Sequence, residues 1–145
     1  MTIEIKHRIT GATIKVVERN SLAFADLRGA NLRGADLCDA DLRGAKGITA
    51  PVIPNLDDAI LAATESGGKL EMDTWHTCET THCRAGWAVH LAGVAGYALE
   101  DRIGSSAAGA LIYHASTGRV PDFFASNETA LADIRACATK ARGEA

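Results

Sequence analysis

Residues 25–44 read Ala25-Asp-Leu-Arg-Gly29, Ala30-Asn-Leu-Arg-Gly34, Ala35-Asp-Leu-Cys-Asp39 and Ala40-Asp-Leu-Arg-Gly44, four five-residue units in unbroken register. Alanine stands two positions before each central leucine (Leu27, Leu32, Leu37, Leu42), and the residue between them is always Asp or Asn. Asn20-Ser-Leu22-Ala-Phe24 precedes the run in the same phase, and Ala45-Lys-Gly47 trails it. A period of five suits neither the 3.6 of a helix nor the 2.0 of a strand. It calls for a backbone that turns within every unit. Internal repetition of this kind decides architecture ahead of local propensity.

The flanks read differently. Upstream, Ile3 and Ile5 alternate with Glu4 and Lys6, and Ile14 and Val16 flank Lys15, with Thr10-Gly11 between them. That predicts a β-hairpin over residues 2–18, placed to cap the repeat. Downstream, Pro51 and Pro54 end regular structure and mark a linker at 47–54. Beyond it the pattern turns helical. Asn55 is placed to cap a helix running to about Ser66, with Asp57 and Asp58 at the positive end of its dipole and Gly67-Gly68 closing it. Thr80 or Thr81 is expected to open a second helix, with Cys83, Trp87, His90, Leu91 and Val94 on one face. Ser105-Ser106 opens a third that Gly118 closes, and Ser126-Asn127 opens a fourth with Leu131, Ile134, Cys137 and Ala138 on its buried stripe.

The unit A(D/N)LXX over residues 20–46 resembles the pentapeptide-repeat family. The resemblance implies a right-handed β-helix of square cross-section, one unit per side and about twenty residues per coil. It places the leucines and their preceding alanines inward and Leu22 beneath Leu42. Asp26, Asn31, Asp36 and Asp41 would then point outward with Arg28, Arg33 and Arg43. Slightly more than one coil cannot bury its own ends, so it needs caps. The expected fold is therefore α+β: a hairpin and short pentapeptide-repeat β-helix over 1–46, the linker, and a small acidic α-helical bundle over 55–145.

Composition narrows the function. The 145 residues are 47% hydrophobic and 23% charged, with a net charge of −3. That is ordinary globular composition, and it argues against phosphate neutralisation of nucleic acid. No apolar run approaches the roughly 20 residues that span a bilayer, so no membrane partner is expected. The N-terminus has no apolar signal core, so the chain is expected to be cytoplasmic, with its four cysteines reduced. Residues 1–46 hold eight Lys/Arg against six Asp/Glu, and residues 47–145 hold seven against twelve. The acidity belongs to the helical half. Arg28, Arg33 and Arg43 sit beside aspartates that cancel most of their field, which makes them a solvated surface. Gly67-Gly68-Lys69 lacks phosphate-loop spacing and follows a helix rather than a strand.

The densest chemical cluster is His76, Cys78, His82 and Cys83. These are zinc-compatible side chains, but adjacent His82 and Cys83 diverge and the pairs lack the usual dozen-residue separation. A bound metal is not expected, nor any other cofactor. Cys83 at a helix N-terminus could be an activated thiol with His76, His90 or His114 as base, although its apolar face favours packing.

Members of the resembled family that imitate duplex DNA in width and charge and occupy DNA-binding clefts imply the leading expectation. It is a non-enzymatic inhibitor, of phage or mobile-element, anti-CRISPR-like type, that blocks the DNA site of a CRISPR surveillance complex or topoisomerase-like protein without touching nucleic acid itself. The acids expected to face that partner are Asp57, Asp58, Glu71, Asp73, Glu100 and Asp101, which occur in pairs at helix ends and loops. No catalytic residue is expected. The alternatives are a small zinc- or thiol-dependent enzyme built on the His/Cys cluster and a plain interaction adaptor.

Overall fold

Alternating Ile3, Ile5 and Val17 give the N-terminal strands one apolar face, and the chain pairs them as expected. In the computed structural model, β1 (Ile3–Lys6) runs antiparallel to β2 (Thr13–Val17), with Ile3 opposite Val17. The structure describes residues 2–7, 9–28, 30, 32, 35, 37, 42, 45, 46 and 49–141. Ile5 and Val17 are buried, and His7 bridges to Ala35, which seats the hairpin on the repeat.

Within the repeat, Leu22, Leu27, Leu32, Leu37 and Leu42 are all buried, as are Ala25 and Ala35. The five-residue register is also a hydrogen-bond register. The amides of Ala25, Ala30, Ala35 and Ala45 each donate to the carbonyl of the leucine three residues earlier. The chain returns on itself after four units: Asp26 and Lys46 form a parallel bridge, in which Leu27 N–H donates to Lys46 O at 2.9 Å and Lys46 N–H to Ala25 O at 2.8 Å. Asp26 and Arg28 are exposed and joined by a 2.6 Å ion pair. The Arg28 hydrogen bonds hold the Asp26 carboxyl well below its ordinary range. The outward placement expected for Asn31, Asp36, Asp41, Arg33 and Arg43 falls outside the described residues, as do Cys38 and the first two linker positions.

The C-terminal part holds five helices and a small sheet among the described residues: α1 (Leu56–Glu65), β3 (Lys69–Leu70), β4 (His76–Cys78), β5 (Thr81–His82), α2 (Arg84–Leu91), α3 (Gly93–Ile103), α4 (Ser105–Thr117) and α5 (Asn127–Ala141). β5 lies centrally, parallel to β3 and antiparallel to β4. α4 and α5 begin where expected, and Gly118 closes α4 at φ 82°. Helix α2 packs on α4, and α1 on α5. Contact between α2 and α4 is close because a Cβ on Gly109 would stand 2.5 Å from that of Ala85.

Three local expectations are corrected. Asn55 makes no side-chain cap; it sits in the left-handed region at φ 53°, and only its carbonyl engages the helix, through Ala59 N–H. Thr80 and Thr81 do not open a helix, because the backbone of Thr81–His82 is committed to the sheet. Cys83 caps α2 instead, its Sγ accepting from Gly86 N–H at 3.2 Å. The expected continuous face through Val94 is interrupted by Gly93 at φ 65°, a conformation that stops one helix and starts another. Val94 is 89% exposed.

The buried side chains form one contiguous cluster from Ile5 through the repeat leucines to the helices. Two polar contacts reinforce the junction with α4: Leu42 N–H donates to His114 Nε2 (3.3 Å), and Ile53 N–H to Ser116 Oγ (2.9 Å). No helix is long and apolar enough to cross a membrane among the described residues.

Candidate functional site

The six acids expected to face a partner have separate fates. Asp57 is buried, not in an exposed pair. Its Oδ1 accepts from Arg84 Nη2 at 2.8 Å and from the Tyr113 hydroxyl at 2.6 Å. The reason lies in the fold: α1 turns its first turn toward α2 and α4, where the buried Arg84 guanidinium needs a counter-charge. Asp133 of α5 completes the arrangement at 2.6 Å from Arg84 Nη1, and Arg119 reaches Asp133 from outside at 2.9 Å. Burial alone would weaken the charge on Arg84. The neighbouring Tyr113 and Asp57 outweigh it, so the group stays firmly protonated. Burial raises the Tyr113 hydroxyl well above its ordinary range, so it acts as a donor.

Glu100 also faces inward. Its Oε2 lies 2.6 Å from His76 Nε2 and accepts from Ser105 Oγ at 2.9 Å. Glu71 is half-buried and accepts from Asn127 Nδ2 at 2.8 Å, while Met72 N–H donates to Asn127 Oδ1 at 2.7 Å, which ties the turn after β3 to the start of α5. The Asn127 bond to Glu71, and after it the Lys69 ammonium 3.2 Å from Oε2, lower the Glu71 carboxyl. Asp58 is half-buried; Asp73 and Asp101 are exposed. Asp101 lines an open groove with His90, Val94, Tyr97 and Ala98.

The His/Cys cluster separates into three environments. His76 and His82 meet directly, Nδ1 to Nδ1 at 2.7 Å. No group of three or more His, Cys, Asp or Glu fit to hold a metal occurs among the described residues. Cys83 is buried, its sulfur is occupied as the α2 cap, and burial pushes its thiol up to about 11. Cys78 is its opposite. It is exposed, its Sγ lies 3.3 Å from Thr80 Oγ1, and hydrogen bonds from Thr80 and Thr81 lower its thiol to about 7.

Sequence reasoning missed Arg84, Tyr113 and Asp133 as a unit. The available signal was Arg84 itself, the sole charge in the run Cys83-Arg-Ala-Gly-Trp-Ala-Val89. A lone cation amid small and apolar residues at a helix start requires a buried acid.

Residues 21–46 match the family model described as pentapeptide repeats (8 copies). The repeat segment is thereby identified. No curated protein and no solved structure matches the chain.

Proposed function

We propose that this chain, with pentapeptide repeats at residues 21–46, is a non-enzymatic binding protein that occupies the DNA-accepting site of a nucleic-acid-handling protein complex. The supporting observation is the segregation of charge: five net negative charges over residues 47–145 against two positive over 1–46. Carboxylates on a rigid helical surface compete for a cleft that selects phosphates. Asp73 and Asp101 are the acids best exposed for that contact, with Asp58 and Glu71 at its margin; Asp57 and Glu100 serve the interior. The parallel bridge between Asp26 and Lys46 supports a repeat wound as one turn of four-sided β-helix, a stiff platform joined to α4. A CRISPR surveillance complex or a topoisomerase has the required kind of cleft, and a phage or mobile-element inhibitor of anti-CRISPR type is the corresponding role.

The deciding experiment captures partners of the tagged chain from bacterial lysate and then titrates duplex DNA. A nucleic-acid-handling partner released by DNA supports mimicry. A partner held independently of DNA and salt makes the chain an adaptor.

One observation favours a second reading, thiol chemistry. It rests on Cys78 rather than Cys83, since among the described cysteines only Cys78 combines exposure with a lowered thiol.

A further inference from the structure

The contact between His76 and His82 has a consequence in proton counting. His82 is 1% exposed, and its Nε2 lies 2.9 Å from the carbonyl oxygen of Glu79. A carbonyl only accepts, so His82 Nε2 carries a proton. Across the 2.7 Å gap between His76 Nδ1 and His82 Nδ1, one nitrogen must carry a proton and the other a lone pair. Across the 2.6 Å gap between His76 Nε2 and Glu100 Oε2 a third proton is required. Two neutral imidazoles and a carboxylate supply only two. The count is the same whichever atom holds each shared proton.

We propose that His76, His82 and Glu100 together bind one additional proton, and that this shared proton clasps α3 to the β4–β5 sheet as a pH-sensitive latch. His76 stands on β4, His82 on β5 and Glu100 on α3, so the chain of contacts crosses three elements. Ser105 at the start of α4 donates to the same Glu100 oxygen and fixes it.

The groups around the latch place the charge. From the β4–β5 connection, Glu79 presents its carbonyl to His82. From α2, His90 stacks on His82 with ring centroids 4.6 Å apart, Trp87 meets it edge-on, and the Cys83 thiol is held neutral. From α3, the Tyr97 hydroxyl engages His90 Nδ1 at 2.8 Å, and its ring lies 5.7 Å from that of His76. Burial foremost, with the neighbouring His76 and His90, disfavours a positive charge on His82, against a smaller opposing pull from the Glu79 carbonyl and Glu100. Positive charge is therefore kept off His82, and the proton shared between the two Nδ1 atoms belongs on His76.

The sign follows from linkage. The folded trio holds a proton that the unfolded chain releases more readily, so stability falls as pH rises through the release. It resists a further proton, because His82 Nδ1–H would then face His76 Nδ1–H, whereas unfolded histidines accept one; stability falls again toward acid. The latch is closed only in a window between the two.

Side-chain nitrogen NMR of the histidines in the full chain, over about pH 5 to 9 where histidine titrates, tests the proton count directly. The expected result near neutrality is His76 protonated at both nitrogens, His82 protonated at Nε2, and scalar coupling between the two Nδ1 atoms. Urea midpoints over the same range should form a bell. In Glu100→Gln its alkaline arm should move to lower pH, as loss of an opposite charge dictates, and in His76→Gln the bell should flatten. One ring proton on each of His76 and His82 throughout the range in the wild-type chain, with carbon NMR showing the Glu100 carboxyl ionised, would overturn the proposal, and that readout decides it even where a variant fails to fold. A wild-type midpoint profile no different in shape from that of a folded His76→Gln would overturn the latch.

Discussion

Arg84 Nη2 donates to Asp57 Oδ1 at 2.8 Å inside the core, with both side chains almost wholly removed from water. That pair joins the first turn of α2 to the first turn of α1. With Tyr113 from α4 and Asp133 from α5, it makes four helices meet at one guanidinium. A buried pair of this kind adds little net stability over apolar packing, but it is costly to break on one side.

Asp57→Ala should therefore destabilise the chain by about 3–5 kcal/mol, because Arg84 would lose its most buried counter-charge. Urea denaturation measures it. A loss below about 1 kcal/mol, the scale of a surface pair, would mean that Asp133 alone satisfies Arg84.

Leu32→Asp should unfold the repeat. Leu32 is fully buried, and an unpaired carboxylate there costs several kcal/mol. Because the repeat leucines and the helices share one cluster, circular dichroism should show helix signal lost in the same transition. Repeat melting with helices untouched would show that the halves are independently stable.

The two N-terminal-side thiols of the helical part should differ sharply in alkylation. Cys78, lowered to about 7, should gain reactivity as pH rises through neutrality, when its thiolate becomes the main species. Cys83, raised to about 11 and buried, should react only after unfolding. Mass spectrometry after iodoacetamide pulses over a pH series resolves them. Equal rates at neutral pH would refute both environments.

Charge reversal at Asp73 and Asp101 should slow association with a captured partner and weaken its salt dependence, as rim charges steer encounter. Stability should change by less than about 0.5 kcal/mol, the range for exposed substitutions. Association rates measured at low and high salt check this. Unchanged rates would remove these acids from the interface, leaving the adaptor reading.

The residues that sequence placed correctly all carry short-range patterns. The resemblance of the five-residue register to pentapeptide repeats put Leu22 through Leu42 inside, and that register, alanine, Asp/Asn and leucine at fixed offsets, makes no reference to distant partners. The hairpin followed from alternation around Thr10-Gly11, and α4 and α5 from their starts at Ser105 and Asn127. The sheet was illegible for the opposite reason. β3 and β5 are two residues each, and Lys69 finds its partner in Thr81 only after the chain has turned through β4. Such short strands carry no period of their own.

The same distinction separates Asp57 from Asp73. Both are aspartates in polar-looking sequence, and nothing local marks one as buried. Asp57 is drawn inside by an arginine 27 positions away, and Glu100 by a histidine 24 positions away. Local spacing, acting through backbone geometry, determined the repeat, the hairpin and two of the helices. Which charges are hydrated and which are paired in the interior was decided by tertiary packing, because desolvation is a property of everything that surrounds a group and not of its neighbours in the chain.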